Sequence, residues 1–285
     1  MRMANPDAGS KRIAGTAVPG VHLMGIDHTS RLYRGVKEHF SVAWMLSGRA
    51  DIWRRGRTRA YAAGAIIASR VGDVHNDRQI ATPVSYRIAM FDPEHVQRAR
   101  TALGLPVHRE LDIGEIDPRA PDAERVRNMH RTLFASRAEV AEQEEAIQGG
   151  LTALISLSRA VQPRELHEAP AFVRRAQDFM REHQHDGLRL ADAAQAAGID
   201  QFRLIRAFRQ HVGMSPYEWL THLRIQRAKL LLAAGHTASD VAQQLGYCDQ
   251  SQLHRHFRRI VGATPGAYAR EVSRRAQRYH CATSS

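Results

Sequence analysis

The feature that most constrains this chain is a segment that occurs twice. Residues 192–219 and 240–268 align over 28 positions when Cys248 is skipped, and 13 of those positions are identical. The identical pairs are Asp192/Asp240, Ala194/Ala242, Gln195/Gln243, Gly198/Gly246, Asp200/Asp249, Gln201/Gln250, Leu204/Leu253, Arg206/Arg255, Phe208/Phe257, Arg209/Arg258, Val212/Val261, Gly213/Gly262 and Pro216/Pro265. A repeat of this kind predicts that each copy is one supersecondary unit.

Each copy has the pattern of a helix, a tight turn and a second helix. In the second copy, Gly246 supplies the residue type that a left-handed turn needs, and Asp249 is placed to cap the next helix. Leu253 and Phe257, four residues apart, predict the buried face of that helix. The equivalent residues of the first copy are Gly198, Asp200, Leu204 and Phe208. Both copies are predicted to be helix-turn-helix units, whose second helix is suited to the DNA major groove.

The second helix of each unit leaves a polar face outside. This face holds Gln201, Phe202, Arg203, Ile205, Arg206 and Arg209 in the first copy, and Gln250, Ser251, Gln252, His254, Arg255, Arg258 and Arg259 in the second. Arginine suits guanine, glutamine suits adenine, and an apolar group suits the thymine methyl. A simpler interpretation is that these are solvated faces of ordinary helices. The recurrence of the same face in two copies favours DNA binding.

The carboxyl-terminal part of the chain resembles the signature of the AraC/XylS family of bacterial transcription regulators. The matching stretches are Arg227-Ala228-Lys229-Leu230-Leu231, Asp240-Val241-Ala242, Leu245-Gly246-Tyr247, Asp249-Gln250-Ser251, Phe257 and Gly262-Ala263-Thr264-Pro265-Gly266-Ala267-Tyr268. The resemblance covers about one hundred residues, from near Ala171 to Arg270. It implies two helix-turn-helix units joined by one long helix. Arg189 departs from the family, which usually starts a helix there with Ser or Thr, so a weaker cap is expected.

The resemblance also implies roles for individual residues. The base-facing positions it implies are Phe202, Ile205 and Arg206 in the first unit, and Gln250, Ser251, Gln252 and Arg255 in the second. Arg209, Arg258 and Arg259 are better placed for phosphates, which position a protein on DNA without specifying sequence. The implied partners are double-stranded DNA at an operator or promoter, and RNA polymerase.

The distribution of charge agrees with a DNA-binding carboxyl-terminal half. The formal net charge is +12, and residues 171–285 hold 17 Lys+Arg against 9 Asp+Glu, while residues 1–170 hold 24 against 20. A basic surface of this kind attracts phosphates. Only three of the 41 basic residues are lysine, which is also what a biased genome composition would produce. That alternative explains arginine over lysine, but not the asymmetry between the halves.

The amino-terminal half predicts an all-β unit. The predicted strands are Val21–Met24, Phe40–Leu46, Ala50–Arg54, Thr58–Tyr61, Ala65–Ser69 and Val84–Met90, separated by turn signals such as Ser47-Gly48. The pattern resembles the cupin-like effector domain that is common at the amino terminus of the same family. The predicted fold class is an α+β multidomain protein, in which a cupin-like β-barrel or sandwich with a helical segment precedes an all-α domain with two helix-turn-helix units.

The amino-terminal half lacks the metal-ligand pattern of cupin enzymes, which hold a metal with a His-x-His pair, a Glu and a later His. Here Asp73-Val74-His75 offers one histidine, and His28 and His39 stand alone. We therefore predict no metal site, no catalytic residues and no cofactor. His75 either lines a ligand pocket or, more simply, is a hydrogen-bonded loop histidine. Trp44, Trp53 and Tyr61 are predicted core residues, and the ligand-binding residues are unknown at this stage.

The chain is predicted to divide into five segments. These are a flexible arm at 1–20, an effector and dimerisation domain at 21–161, a polar linker at 162–170, the DNA-binding domain at 171–272 and a basic tail at 273–285. Within the second segment, helices are predicted at 92–103, 122–136 and 139–161. The last two either close the β-domain or pair with a second subunit.

The sequence thus predicts a DNA-binding transcription regulator that is modulated by a small-molecule effector and is not an enzyme. Two alternatives remain: a cupin enzyme fused to a DNA-binding tether, and a nucleoid-type protein that binds DNA by charge alone. The two cysteines imply no disulfide framework. No secretory apolar region follows Met1 and no apolar run approaches a membrane span. A cytoplasmic homodimer without membrane contact is expected, and the choice between activation and repression stays open.

Overall fold

The computed structural model describes residues 10–54, 56–105, 115–135, 137–159, 169–184 and 188–283. The chain divides into two compact units, Met1–His167 and Glu168–Ser285. This division falls within the segment predicted as a linker, residues 162–170, of which all but the last two residues lie outside the described part of the chain.

The described residues of the first unit form an antiparallel sheet with three helices. Its strands are β1 (Ser10–Gly15), β2 (Val21–Thr29), β3 (Arg34–Val36), β4 (Phe40–Arg54), β5 (Arg57–Ala62), β6 (Ile66–Ser69), β7 (Val74–Phe91) and β8 (Glu115–Ile116), and its helices are α1 (Pro93–Ala102), α2 (Pro121–Phe134) and α3 (Val140–Arg159). The strands are ordered β1-β2-β7-β4-β6-β8, with β3 on β7 and β5 on β4. The predicted all-β unit with a helical segment is confirmed.

The long strand β4 corrects one prediction. Ser47-Gly48 was expected to separate two strands, yet β4 continues from Phe40 to Arg54. The pairing with β7 shifts register on both sides of Ser47, and Gly48 has φ +88°. A Cβ at Gly48 would meet the carbonyl oxygen of Pro83 on β7, so only glycine fits this bulge. Glycine was therefore needed for a bulge inside the strand, and not for a turn.

The prediction of a flexible arm at residues 1–20 is wrong for residues 10–15. These residues form β1, which pairs with β2 from Ser10 opposite Asp27 to Gly15 opposite His22. Pairing with β2 satisfies the backbone hydrogen-bonding groups of these residues. A composition rich in small residues does not indicate such a pairing.

Helices α2 and α3 close the β-unit. Val126, Met129, Leu151 and Leu154 are fully buried in one core cluster that also contains residues of β2, β4, β6 and β7. The two helices approach closely at Gly150, where a Cβ would lie 2.7 Å from Cβ of Met129. The apolar faces of both helices are thus buried within the unit. This favours the prediction that they close the β-domain over the prediction that they pair with a second subunit.

The described residues of the second unit form helices and no strands. Its helices are α4 (Ala171–Glu182), α5 (Leu190–Ala197), α6 (Gln201–Ala207), α7 (Pro216–Ala233), α8 (Ala238–Gln244), α9 (Gln250–Val261) and α10 (Pro265–Thr283), and a π-helical turn at Phe208–Val212 continues α6. The predicted long connecting helix is α7, with 18 residues. It begins at a capping box in which the Ser215 N–H donates to Glu218 Oε2 (2.8 Å) and the Glu218 N–H to Ser215 Oγ (3.3 Å).

The weak cap expected at Arg189 is confirmed, because the Arg189 side chain makes no capping bond and its N–H donates to Asp192 Oδ2 instead. The boundary predicted at residue 272 does not end a structural element, since α10 continues to Thr283. Across the described residues of both units, no helix is long and apolar enough to cross a membrane.

Candidate nucleic-acid interface

The second helix of each repeat copy starts at an aspartate cap. Asp200 Oδ1 accepts the backbone N–H of Arg203 (2.9 Å), and Asp249 Oδ1 accepts that of Gln252 (2.6 Å). The bond from Arg203 lowers the pKa of Asp200 below its ordinary value, because it stabilises the charged carboxylate. Both helices therefore begin at equivalent residues of the repeat, and their first turns carry equivalent positions.

The inner faces of the two copies pack in the same way. Phe208 and Trp219 form an edge-to-face pair with ring centroids 6.0 Å apart, and Phe257 and Tyr268 form one at 5.5 Å. These are equivalent positions of the sequence repeat, so the repeat extends to tertiary contacts. The buried pairs of each helix, Leu204 with Phe208 and Leu253 with Phe257, are fully shielded from solvent. The predicted inward faces are confirmed.

The outer faces carry the residues predicted to contact DNA. Exposed are Phe202, Arg206, Arg209, Gln250, Ser251, Arg255, Arg258 and Arg259, while Ile205 and Gln252 are half-buried. Phe202 is 77% exposed, so its ring is accessible to a partner. Gln252 is used differently from the expectation, because its Oε1 accepts the backbone N–H of Cys248 (2.9 Å). Contact of these residues with DNA stays a prediction.

Comparison with known proteins agrees with this geometry. Residues 193–271 match a family model described as a helix-turn-helix domain. The chain is 33% identical over 98 residues to the arabinose operon regulatory protein of Escherichia coli, which is 34% of each chain. It is 30% identical over 95 residues to the MmsAB operon regulatory protein of Pseudomonas aeruginosa, covering 33% of this chain and 31% of that protein. The carboxyl-terminal unit contains an AraC-type helix-turn-helix domain.

The resemblance to AraC/XylS regulators is thereby confirmed, although the matches span only about a third of these curated relatives. The fold of the apo form of a point variant of ToxT from Vibrio cholerae is similar over 90% of this chain and 98% of that protein, with a TM-score of 0.50 and 12% identity. That likeness concerns the fold alone, and it agrees with a β-unit followed by an AraC-type unit. The curated relatives named above are regulators by name, in agreement with the prediction that this chain is not an enzyme.

The two recognition helices of the AraC-type domain differ in one respect. Helix α9 is α-helical from Gln250 to Val261, whereas α6 ends at Ala207 and continues as a π-helical turn. A π-helical turn widens the helix and changes the direction of the side chains beyond it. Arg209 lies on this turn, whereas its equivalent, Arg258, lies within the regular α-helix α9.

Six arginines give the recognition helices their charge. On these two fully described helices, the exposed arginines are Arg203, Arg206, Arg209, Arg255, Arg258 and Arg259. Between the last two turns of α9, His256 is half-buried, and burial followed by the charges of Arg259 and Arg255 lowers its pKa. His256 is therefore neutral at physiological pH, and the arginines supply the positive charge.

Arg224 connects the two halves of the AraC-type domain, a role that the sequence pattern did not reveal. It lies on α7 and is 8% exposed. Its Nε donates to the carbonyl oxygen of Gln184, after α4, at 2.9 Å, and its guanidinium lies 5.8 Å from the ring centroid of Tyr247 in the second turn. A buried arginine in an otherwise apolar stripe of a long helix is the signal that points to such a role.

The first unit contains residues whose environment bears on ligand binding. His75 lies on β7 and not in a loop, and its Nε2 bonds Asp77 Oδ1 at 2.7 Å, so the structural interpretation is favoured. Trp53 and Tyr61 are core residues, as predicted. Trp44 differs: it is half-buried, and its ring lies 6.2 Å from that of His130 on α2. Sequence reasoning did not single out His130.

Proposed function

We propose that this chain is a sequence-specific DNA-binding transcription regulator of the AraC/XylS type. The observation that carries the proposal is that α6 and α9 match each other. Each helix has an aspartate cap, an exposed face with equivalent residues, and a buried face with an equivalent aromatic pair. Arg206 and Arg255 occupy equivalent positions on these faces, and arginine there suits guanine. Phe202 and Ile205 suit thymine methyl groups, so the first helix-turn-helix copy is expected to make more apolar base contacts than the second copy.

Arg255→Ala tests base recognition directly. We expect this variant to lose about 1–3 kcal/mol of binding free energy on the preferred DNA site and to relax preference at one base pair. The measurement is fluorescence anisotropy with the site selected from a random DNA pool, beside single-base variants of it. Arg125→Ala, an exposed arginine on α2, is the matched control for the lost charge. An equal loss on specific and random DNA would reduce Arg255 to a phosphate contact, and a nucleoid-type protein would show no preferred site.

We further propose that the first unit binds a small-molecule effector between α2 and the sheet. The support is a group of buried polar atoms that have no hydrogen-bond partner among the described residues: both ring nitrogens of His130 and Nε1 of Trp44. Burial lowers the pKa of His130 to about 3, so the ring is neutral and offers one donor and one acceptor. Buried polar groups without partners are rare, and a ligand with a hydroxyl or carbonyl group would satisfy them.

His130→Leu distinguishes such a site from ordinary core. Because the unpaired polar atoms are removed, the variant should be more stable than wild type by about 1–3 kcal/mol in chemical denaturation. It should also abolish any effect of candidate hydroxylated or carbonyl metabolites on DNA binding. His95→Leu is the control, since His95 is equally buried but bonds the Pro19 oxygen (2.8 Å) and Arg98 (2.7 Å). If His130→Leu destabilises the chain as His95→Leu does, the His130 nitrogens are already satisfied and the effector site is wrong.

Homodimer formation and contact with RNA polymerase complete the proposed regulator. The apolar faces of α2 and α3 are covered within the unit, so a dimer would use other surface of the first unit. The fragment 171–285 should recognise the same DNA site as the full chain but more weakly, because linked domains on neighbouring half-sites gain from effective concentration. A DNA titration of both forms, beside sedimentation, is the measurement. Equal affinity together with a monomeric full chain would remove dimerisation from the proposal.

A further inference from the structure

Three neighbouring strands of the first unit, β2, β7 and β4, pair in a defined register at one end of the sheet. Phe91, the last residue of β7, lies opposite Val21 on β2 and opposite Phe40 on β4. All three are buried in the core cluster that α2 and α3 cover. The sequence neighbours of these three residues are His22, which follows Val21 on β2, His39, which directly precedes β4, and Asp92, which directly follows β7.

The side chains of these three residues converge. One ligand atom from each of His22, His39 and Asp92 lies within 4.8 Å of the other two. His39 Nδ1 is 3.3 Å from Asp92 Oδ1, and the two imidazole centroids are 5.3 Å apart. Ligand atoms about 2.0–2.1 Å from a tetrahedral metal ion are separated by roughly 3.4 Å. Small side-chain rotations would therefore bring all three atoms to coordination distance.

The orientation of Asp92 is a second, independent observation. Asp92 is the N-cap of α1, where an aspartate normally accepts a backbone N–H of the first turn, yet its side chain accepts none in this described helix. Its carboxylate is directed to His39 instead. Its own N–H donates to the carbonyl oxygen of Gly20 (2.9 Å), which fixes the backbone beneath the carboxylate. A Cβ at Gly20 would lie 3.1 Å from Asp92 Oδ2, so glycine also leaves room for the carboxylate.

The sequence lacks the cupin ligand pattern and predicted no metal site. From the geometry we propose instead that His22, His39 and Asp92 form a binding site for a divalent transition-metal ion, with Zn²⁺ or Co²⁺ as suitable probes. Two imidazoles and one carboxylate suit such ions, whereas Ca²⁺ and Mg²⁺ prefer sites made of oxygen ligands only. Three protein ligands leave the fourth tetrahedral position to water or to another ligand. The ion would join β2, the start of β4 and the start of α1, and so would stabilise this end of the sheet.

The test is a metal titration of the chelator-treated full chain. Wild type should bind one more equivalent of Co²⁺ than the double variant His39→Gln/Asp92→Asn, with visible absorption bands of a tetrahedral site. The variant should bind at this site at least about tenfold more weakly, since losing even an outer partner of a metal ligand costs 10–100-fold. Zn²⁺ should raise the unfolding midpoint of wild type but not that of the variant.

The control is His28→Asn, which replaces an exposed histidine of the same strand. Asn tolerates the φ of +49° at this position. Metal ions that bind to other histidines do not affect the result, because the quantity compared is the difference in bound Co²⁺ between wild type and the variants. The proposal is overturned if the double variant keeps the stoichiometry, affinity and spectrum of wild type, or if His28→Asn loses the same equivalent. DNA binding is measured separately, so either result leaves the regulator function untouched.

Discussion

Raising the salt concentration from 50 to 200 mM should weaken binding of the full chain to its preferred DNA site by about 10³-fold. The reason is counterion release from phosphates that the exposed arginines of the two recognition helices neutralise. If about six phosphates are neutralised, the slope of log affinity against log salt is near −5. A slope near zero would remove this basic surface from DNA binding.

The same titration with variants separates phosphate from base contacts. Removing Arg209, Arg258 and Arg259 together should flatten the slope by about 3, because each lost phosphate contact reduces it by about 1. The preference among DNA sequences should remain, since phosphates carry no sequence information. Arg125→Ala, on the first unit, should leave the slope unchanged. If the triple variant loses sequence preference while keeping its slope, the roles assigned to these arginines are reversed.

Replacing Trp219 with alanine should cost about 3–5 kcal/mol of the free energy of unfolding of the second unit. Trp219 is fully buried, packs edge-to-face on Phe208, and lies under the guanidinium of Arg181, which is 5.2 Å from its ring centroid. Alanine leaves a large cavity beside the π-helical turn that continues the first recognition helix. Chemical denaturation of the fragment 171–285 measures the loss.

The loss should extend from stability to DNA recognition. Phe208 holds the first recognition helix, so without Trp219 the preference for the base pairs under that helix should weaken first. Tyr217→Ala is the control, because Tyr217 lies two residues earlier on α7 and is 57% exposed. An exposed substitution of this kind is expected to change stability by less than about 1 kcal/mol. Equal effects of the two substitutions would contradict the packing role of Trp219.

Local sequence determined most of the second unit. Asp200 and Asp249 cap helices because a short side-chain oxygen at that position satisfies a free backbone N–H. The long helix α7 begins where its capping box predicts. The repeat even anticipated equivalent tertiary contacts, since Phe208 with Trp219 and Phe257 with Tyr268 occupy matched positions. These interactions are short-range or are repeated, and both kinds leave a trace in the local sequence pattern.

The remaining features depend on residues that are far apart in the chain. Gly48 is part of a bulge and not a turn because Pro83 on another strand lies against it. Arg224 contacts both Gln184 and Tyr247, which lies in the turn of the second helix-turn-helix copy. Residues 10–15 form a strand because they pair with the edge of β2.

The sequence by itself determined that this chain has a double helix-turn-helix unit with a basic outer face, because helix periodicity, caps and charge are local properties. The tertiary structure alone decided that His22, His39 and Asp92 meet and that His130 is buried against Trp44. No periodicity connects positions 17 or 53 residues apart. Their proximity is set by strand register and helix packing, which are long-range, and so only the folded chain brings these side chains together.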